Sequence, residues 1–213
     1  MEFDQLLRLV GEETIFDSAL LLAGAVNPRS VRVQLWRWVN AGRLYQLRRG
    51  VYALAPPYQK VKPHPFLIAN RLARGSYVSC QSALAHYGLI PEGVPRVTSV
   101  GAGRGGHWET RLGNFEFRNI KPDLLFGYRL TELGGGQNAF VASAEKALLD
   151  LIHLTPNGDS SEYLRELRLQ NLERLNLDEL EKLAVRMGSS KMKRAVRIVA
   201  ELARAEAEAY EKL

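Results

Sequence analysis

One stretch of this sequence, Asn27 to Leu54, constrains the fold more than any other: NPRSVRVQLWRWVNAGRLYQLRRGVYAL. It opens with Asn-Pro, a typical helix start, because Asn accepts a hydrogen bond from a free amide and Pro fits the first helical turn. Val31, Leu35 and Trp38 then recur at helical spacing, so we expect them to pack inward. Ala41-Gly42 ends the predicted helix.

The residues that follow predict a β-hairpin. Leu44 to Leu47 and Val51 to Leu54 are short apolar segments, and the Arg-Arg-Gly between them favours a turn that carries two guanidinium groups. A basic helix followed at once by a hairpin is the arrangement of a winged helix-turn-helix, whose helix enters the major groove of DNA while the hairpin touches the flanking backbone. The residues predicted to contact DNA are Arg29, Ser30, Arg32 and Arg37 on the helix, and Arg48 and Arg49 on the hairpin.

Trp36 has two interpretations. Helical spacing puts it with Val33 on the side predicted to be exposed, whereas Val39 joins the inward side. On the exposed side the indole would contact a base or a sugar. A Trp in such a helix more often belongs to the hydrophobic core, and the sequence leaves both interpretations open.

The distribution of charge also favours an anionic partner. The net charge is +6 and the pI is about 9.5. From Ser18 through Pro91 there is no Asp or Glu, while ten Lys and Arg residues fall in the same stretch. A surface that lies against phosphates excludes carboxylates, because they repel the DNA backbone. The alternative is a chance run of charge on a solvated surface.

Proline and glycine divide the chain into three predicted regions. The DNA-binding unit covers residues 1–58, and a connector rich in proline covers residues 56–63. Residues 63–156 mix helix and strand signals, Thr155 to Asp159 breaks the chain again, and residues 160–213 are helical, either as a separate region or as part of the middle one. The predicted fold class is α+β.

The middle region is predicted to contain a small antiparallel sheet, because β-branched and aromatic residues alternate with turn residues. Ser143 is a typical cap for the helix that follows it to His153. The other expected helices are Glu2–Val10, Phe16–Ala23, His64–Ala73 and Cys80–Tyr87, and the expected strands are Arg96–Val100, Trp108–Leu112, Phe115–Ile120, Phe126–Leu133 and Ala139–Ala142.

The last predicted helix, Lys191–Lys212, has an unusual charge order. Its first turns are basic and its end is acidic, which opposes the helix dipole. The basic group is therefore a candidate second set of phosphate contacts, and the alternative is a solvated helix with local acid–base pairs. The residues concerned are Lys191, Lys193, Arg194 and Arg197.

Patterns that would indicate an enzyme are weak. Gly101 to Gly106 has the spacing of a dinucleotide-binding loop, but strand signals follow where that motif needs a helix. The four His residues lack ligand partners at helical spacing. Cys80 and His86 fall on different sides of one helix, and the single Cys excludes an internal disulfide. We therefore expect no catalytic residue, no metal and no cofactor.

The sequence also gives expectations about location. The first ten residues carry acids where a signal peptide carries Lys or Arg. No apolar run approaches the ~20 residues that span a bilayer. We expect a soluble cytoplasmic protein without a membrane partner.

Three segments resemble the AbiEi family, the antitoxin and transcriptional regulator of bacterial type IV toxin–antitoxin operons. They are AGRLYQLRRGVYAL at Ala41–Leu54, YVSCQSALAHYGLIP at Tyr77–Pro91 and ASAEKALLDLIHL at Ala142–Leu154. Their order and spacing match the family over the first three-quarters of the chain. Ala144 departs from the family pattern, which tends to have Pro before Glu-Lys-Ala-Leu, and the tail after Pro156 matches least.

The resemblance implies an autorepressor that binds repeats in its own promoter. The sequence leaves the oligomeric state open between a monomer that binds each repeat and cooperates on DNA and a dimer. It further implies that the remainder of the chain counteracts a nucleotidyltransferase-like toxin encoded alongside it, in the type IV scheme without a stable complex. Two alternatives remain. The chain would neutralise the toxin by direct binding, or it would be a winged-helix regulator unrelated to a toxin.

Overall fold

The computed structural model describes residues 1–22, 27–91 and 93–210. For residues 209 and 210 it describes the backbone and not the side chains. Within these ranges the fold is α+β, as the sequence predicts. A smaller N-terminal unit, residues 3–54, precedes a larger unit built on a mixed sheet.

The N-terminal unit contains the predicted basic helix and hairpin. The Asn27 side chain caps the helix by accepting the amide of Arg29 at 2.9 Å, and Pro28 occupies the first turn. Its helices are α1 (Phe3–Val10) and α2 (Pro28–Asn40), and its strands are β1 (Ile15–Asp17), β2 (Leu44–Arg48) and β3 (Val51–Leu54), arranged in the order β1-β3-β2.

The prediction of a second helix over Phe16–Ala23 is wrong at its start. Phe16 lies in β1, opposite Tyr52 of β3, and the two rings stack with centroids 5.9 Å apart. Cross-strand aromatic pairs of this kind stabilise a sheet, and here the pairing overrides local helix propensity. Only Ser18–Leu22 is helical, as a 3₁₀ segment, and Ala23 lies outside the described residues.

The core of the N-terminal unit confirms the predicted inward side of α2. Val31, Leu35 and Trp38 are buried. The Trp38 ring packs edge-on against Phe3 of α1, with centroids 5.2 Å apart. This packing fixes α2 against α1, so the opposite side of α2 faces away from the unit.

The sheet of the larger unit is mixed, so the predicted small antiparallel sheet is wrong in size and in kind. Its strands among the described residues are β4 (Ser76–Val78), β5 (Arg96–Gly101), β6 (Gly106–Thr110), β7 (Gly113–Asn119), β8 (Tyr128–Glu132) and β9 (Asn138–Ala142). They pair in the order β6-β7-β5-β4-β9-β8, and β4 runs parallel to β9, as β5 does to β7. Local signals locate strands but do not reveal partners that are distant in sequence.

The helical tail shares the core of this sheet. Leu180, Met192 and Val199 belong to the same buried cluster as Tyr77 and Val141 of the sheet. The tail therefore packs as part of the larger unit. The helices of this unit are α3 (Pro65–Leu72), α4 (Cys80–His86), α5 (Ala144–Leu154), α6 (Ser161–Glu166), α7 (Leu177–Met187) and α8 (Ser190–Tyr210).

The connector between the two units is held by the side chain of Gln137. Its Oε1 accepts the amide of His64 at 2.7 Å, and its Nε2 donates to the carbonyl of Lys62 at 3.0 Å. The units also touch directly, because Arg74 of the α3–β4 turn pairs with Asp17 of β1 at 2.9 Å. The connector is thus tied to the sheet rather than left free.

His64 links this junction to pH. Its Nδ1 accepts the amide of Phe66 at 3.1 Å and so caps α3. Burial, and then the charge of His86, lower the pKa of His64 below its usual 6.5. The unfolded chain therefore binds the proton more tightly than the folded one, and folding loses free energy as pH falls below about 6.5.

We expect the free energy of unfolding to decrease on acidification from pH 7.5 to about 5.5 and to decrease less in His64→Asn, because Asn also caps helices but does not titrate. Urea unfolding at several pH values measures this. His153, whose pKa burial also lowers, leaves a residual slope in the variant. An unchanged pH profile in His64→Asn would show that the cap does not sense pH.

Candidate nucleic-acid interface

The exposed side of α2 is basic and lies opposite its buried side. Arg29, Arg32 and Arg37 are exposed along the helix, and Ser30 is exposed near its start. The sequence of α2, PRSVRVQLWRWVN, contains no acid. The structure therefore brings the helical members of the predicted set together on one surface.

Most other basic groups of the acid-free stretch have partners within the chain. Arg43 lies over the Phe3 ring, with the guanidinium carbon 5.0 Å from its centroid. Lys60 lies 3.9 Å from Glu12, and Asp17 forms ion pairs with both Arg71, at 3.7 Å, and Arg74, at 2.9 Å. By contrast, the following arginines are exposed and contact no acid, carbonyl or ring among the described residues: Arg29, Arg32, Arg37 and Arg49.

Arg48 departs from its predicted position. Its guanidinium turns away from the hairpin turn and donates to the carbonyl of Leu72 at the end of α3. Its Nε is buried and has no partner among the described residues. The structure therefore places Arg48 between the hairpin and the larger unit, and only Arg49 of the pair projects from the turn.

The structure decides between the two interpretations of Trp36. The side chain is 65% exposed, whereas Trp38 is only 4% exposed. Val33, one turn earlier, is 44% exposed. Trp36 is therefore not a core residue, and it lies on the same surface as the free arginines.

The basic group at the start of α8 is partly used inside the chain. Lys191 donates to the carbonyl of Thr155 at 2.6 Å, and Arg194 binds the carboxylate of Asp159 at 2.7 Å. These contacts explain basic residues at a helix start, because they tie α8 to the end of α5 and the loop after it. Of the predicted secondary contacts, only Lys193 and Arg197 remain exposed without a partner among the described residues.

Other candidate sites in the sequence lack the geometry they need. The glycine-rich segment from Gly101 leads into β6, so no helix follows it to bind a pyrophosphate. No group of His, Cys, Asp and Glu among the described residues is arranged to hold a metal ion. No described helix is long and apolar enough to cross a bilayer.

A second feature, a buried polar network, was not predicted. Lys146 and Asp150 of α5 form an ion pair with both side chains fully buried. Tyr77 and Ser79 donate to the Asp150 carboxylate at 3.0 and 2.8 Å, and Lys146 also donates to the Tyr77 hydroxyl at 2.9 Å. The network joins α5 to β4 and the residue after it. Ser79 occupies the N-cap position of α4, but its hydroxyl donates to Asp150 and does not cap the helix.

The surroundings of the network are apolar. Lys146 Nζ lies 5.1 Å from the centroid of the Phe126 ring, and a Cβ on Gly127 would lie 3.0 Å from the Lys146 side chain. Burial raises the pKa of Asp150 and of Tyr77. The sequence signal is a Lys and an Asp four residues apart in a mostly apolar helix, AEKALLDLIHL.

Comparison with known proteins finds similarity to a solved structure and to no characterised family. No family model matches the chain, and no curated protein matches it. The crystal structure of the RV2827C protein from Mycobacterium tuberculosis is similar, with a TM-score of 0.44 and 15% sequence identity, over 92% of this chain and 78% of that one.

Removing one partner of the buried pair should be costly. In Lys146→Met the Asp150 carboxylate stays buried without its counter-ion, and we expect the free energy of unfolding to fall by about 3–5 kcal/mol. The double variant Lys146→Met/Asp150→Leu should recover much of this loss, since it removes the unpaired charge. Urea denaturation of the single and double variants measures both. Equal losses in the two would contradict the ion-pair assignment.

Proposed function

We propose that this chain is a DNA-binding autorepressor and the antitoxin of a bacterial toxin–antitoxin pair. The observation that carries the DNA-binding half is the group of free, exposed arginines on α2 and the hairpin turn: Arg29, Arg32, Arg37 and Arg49. In this proposal the N-terminal unit is a winged helix-turn-helix, α2 is its recognition helix, and the turn between β2 and β3 is its wing.

Free guanidinium groups suit a phosphate backbone better than paired ones. An arginine that is bound to a carboxylate must break that ion pair before it contacts DNA. A hydrated arginine loses only its bound water, and the DNA releases counterions. Here Asp17 forms ion pairs with Arg71 and Arg74, whereas α2 contains no acidic residue that could pair with its arginines. The free group is therefore the part of the acid-free stretch best suited to DNA.

The antitoxin half rests on the resemblance to the AbiEi family. Of its three segments, Ala41–Leu54 covers the proposed wing, Tyr77–Pro91 begins in β4, and Ala142–Leu154 contains α5. The last two supply the partners of the buried network. The matching positions therefore include buried polar groups that depend on one another for their hydrogen bonds. This supports a common fold with the family.

A titration on the DNA immediately upstream of the gene tests the repressor role. We expect binding that prefers this DNA to a scrambled duplex and weakens with salt, with a log–log slope of roughly −2.7 for about three phosphate contacts, those of Arg29, Arg37 and Arg49. Arg49→Ala should weaken binding to both DNAs alike, while Arg32→Ala should reduce the preference for the native sequence.

Arg48→Ala is the matched control for Arg49→Ala. Because Arg48 donates to Leu72 instead of projecting from the turn, its loss should lower thermal stability and leave the salt slope unchanged. Fluorescence anisotropy at three salt concentrations, with thermal unfolding of each variant, separates the two effects. Equal, weak binding to native and scrambled DNA would reject the repressor role.

The edge of the large sheet favours the alternative in which the toxin is bound directly. Leu130 of edge strand β8 lies opposite Phe140 of β9, and the two are 60% and 45% exposed. Tyr128, also 42% exposed, stacks on Tyr77 at 4.5 Å. An exposed apolar edge strand is a common site of strand addition by a partner.

Co-expression with the nucleotidyltransferase-like protein that this proposal assigns to the neighbouring gene tests both forms of the antitoxin role. Wild-type chain should restore growth in either form. Under direct binding the two proteins co-purify, and Leu130→Lys abolishes both rescue and co-purification. Val185→Lys, at an equally exposed apolar position on α7, is the control and should rescue fully. Rescue by Leu130→Lys without co-purification would favour the type IV scheme, and absence of rescue by the wild type would reject the antitoxin role.

A further inference from the structure

The exposed side of α2 has an apolar centre. At about 100° per residue, Val33 and Trp36 lie within about 60° of one another around the helix axis. They are 44% and 65% exposed. By the same spacing Arg32 falls on one side of the pair and Arg37 on the other, and Arg29 lies one turn earlier. The surface is thus an apolar stripe flanked by free guanidinium groups.

This stripe differs from the scattered hydrophobic residues found on most surfaces. Its two side chains are neighbours, one of them is an indole, and no described part of the chain covers them. The arginines around them and the absence of any acid on α2 are complementary to a polyanion. Charge complementarity therefore selects DNA as the occupant of this surface.

In the major groove, the apolar group that an apolar side chain can contact is the C5-methyl group of thymine. Adenine, guanine and cytosine present hydrogen-bonding groups there, whereas thymine adds the C5-methyl group. Val33 carries no hydrogen-bonding group on its side chain, so it gains nothing from the polar edges. It gains free energy from a methyl group, because contact removes apolar surface of both from water.

Resting on the proposed DNA-binding function, we propose that Val33 and Trp36 contact thymine methyl groups in the major groove and so select A·T pairs opposite the middle of α2. Arg29 and Arg37 contact phosphates and hold the helix in place, while Arg32 reads a base edge beside the stripe. Sequence preference opposite the middle of α2 then comes from the two apolar side chains.

Replacing thymine by deoxyuridine tests the proposal, because uracil pairs as thymine does but lacks the methyl group. A footprint on the DNA upstream of the gene first locates the protected segment. Duplexes with each thymine of that segment replaced in turn are then titrated by anisotropy. Wild-type protein should lose about fourfold in affinity for each contacted methyl group.

Variants assign the effect to the two side chains. Val33→Ala and Trp36→Ala should each bind the thymine duplex more weakly than the wild type. At one deoxyuridine position, each variant should show no further loss of affinity, which makes the comparison a double-mutant cycle between protein and DNA. Leu9→Ala, which truncates a side chain 54% exposed on α1, is the matched control and should keep the wild-type affinities. Circular dichroism checks that every variant is folded.

The outcomes separate this inference from the function on which it rests. Preference for the native over the scrambled duplex, together with equal affinity for the thymine and deoxyuridine forms, overturns the thymine contact and leaves the repressor role standing. Equal binding to native and scrambled duplexes rejects both. If Trp36→Ala binds DNA as tightly as the wild type but no longer co-purifies with the product of the neighbouring gene, the inference is overturned. The stripe then belongs to a protein partner.

Discussion

The arrangement of the larger unit depends on the buried ion pair of α5. A Lys and an Asp with no solvent contact are tolerated only where hydrogen bonds satisfy them, and here Tyr77 and Ser79 supply those bonds. Such a pair is a weak source of stability compared with hydrophobic packing of the same volume. Its value lies in position, because only one alignment of α5 against β4 lets every member of the network find its partner.

On the surface too, acidic residues pair with basic residues and hold them in position. Asp17 pairs with Arg74, Glu12 lies near Lys60, and Asp159 binds Arg194. These acids lie at junctions between elements, where each holds a base in place. The side of α2 that faces away from the unit has no such acid. Its charges are therefore held by the helix backbone alone and remain available to a partner outside the chain.

The sequence predicted those features whose causes are local. The cap at Asn27 and the spacing of Val31, Leu35 and Trp38 determine α2 and its buried side within a dozen residues. The missed features depend on distant partners. Arg48 turns toward a carbonyl 24 residues away, and Lys146 meets a tyrosine 69 residues away. Neither residue type nor spacing reveals such a partner before the sheet order is known.

If the chain binds repeats in its promoter as proposed, the connector held by Gln137 has a consequence for how its copies assemble there. A free linker would let the larger unit explore many orientations around a bound N-terminal unit, so neighbouring copies would meet at random. Here the amide of His64 and the carbonyl of Lys62 are both bound to one side chain, and Arg48 and Arg74 join the two units directly. The larger unit therefore has a defined direction relative to α2. Copies on adjacent repeats would then present the same faces to each other at every repeat, and the spacing of the repeats would decide whether those faces touch.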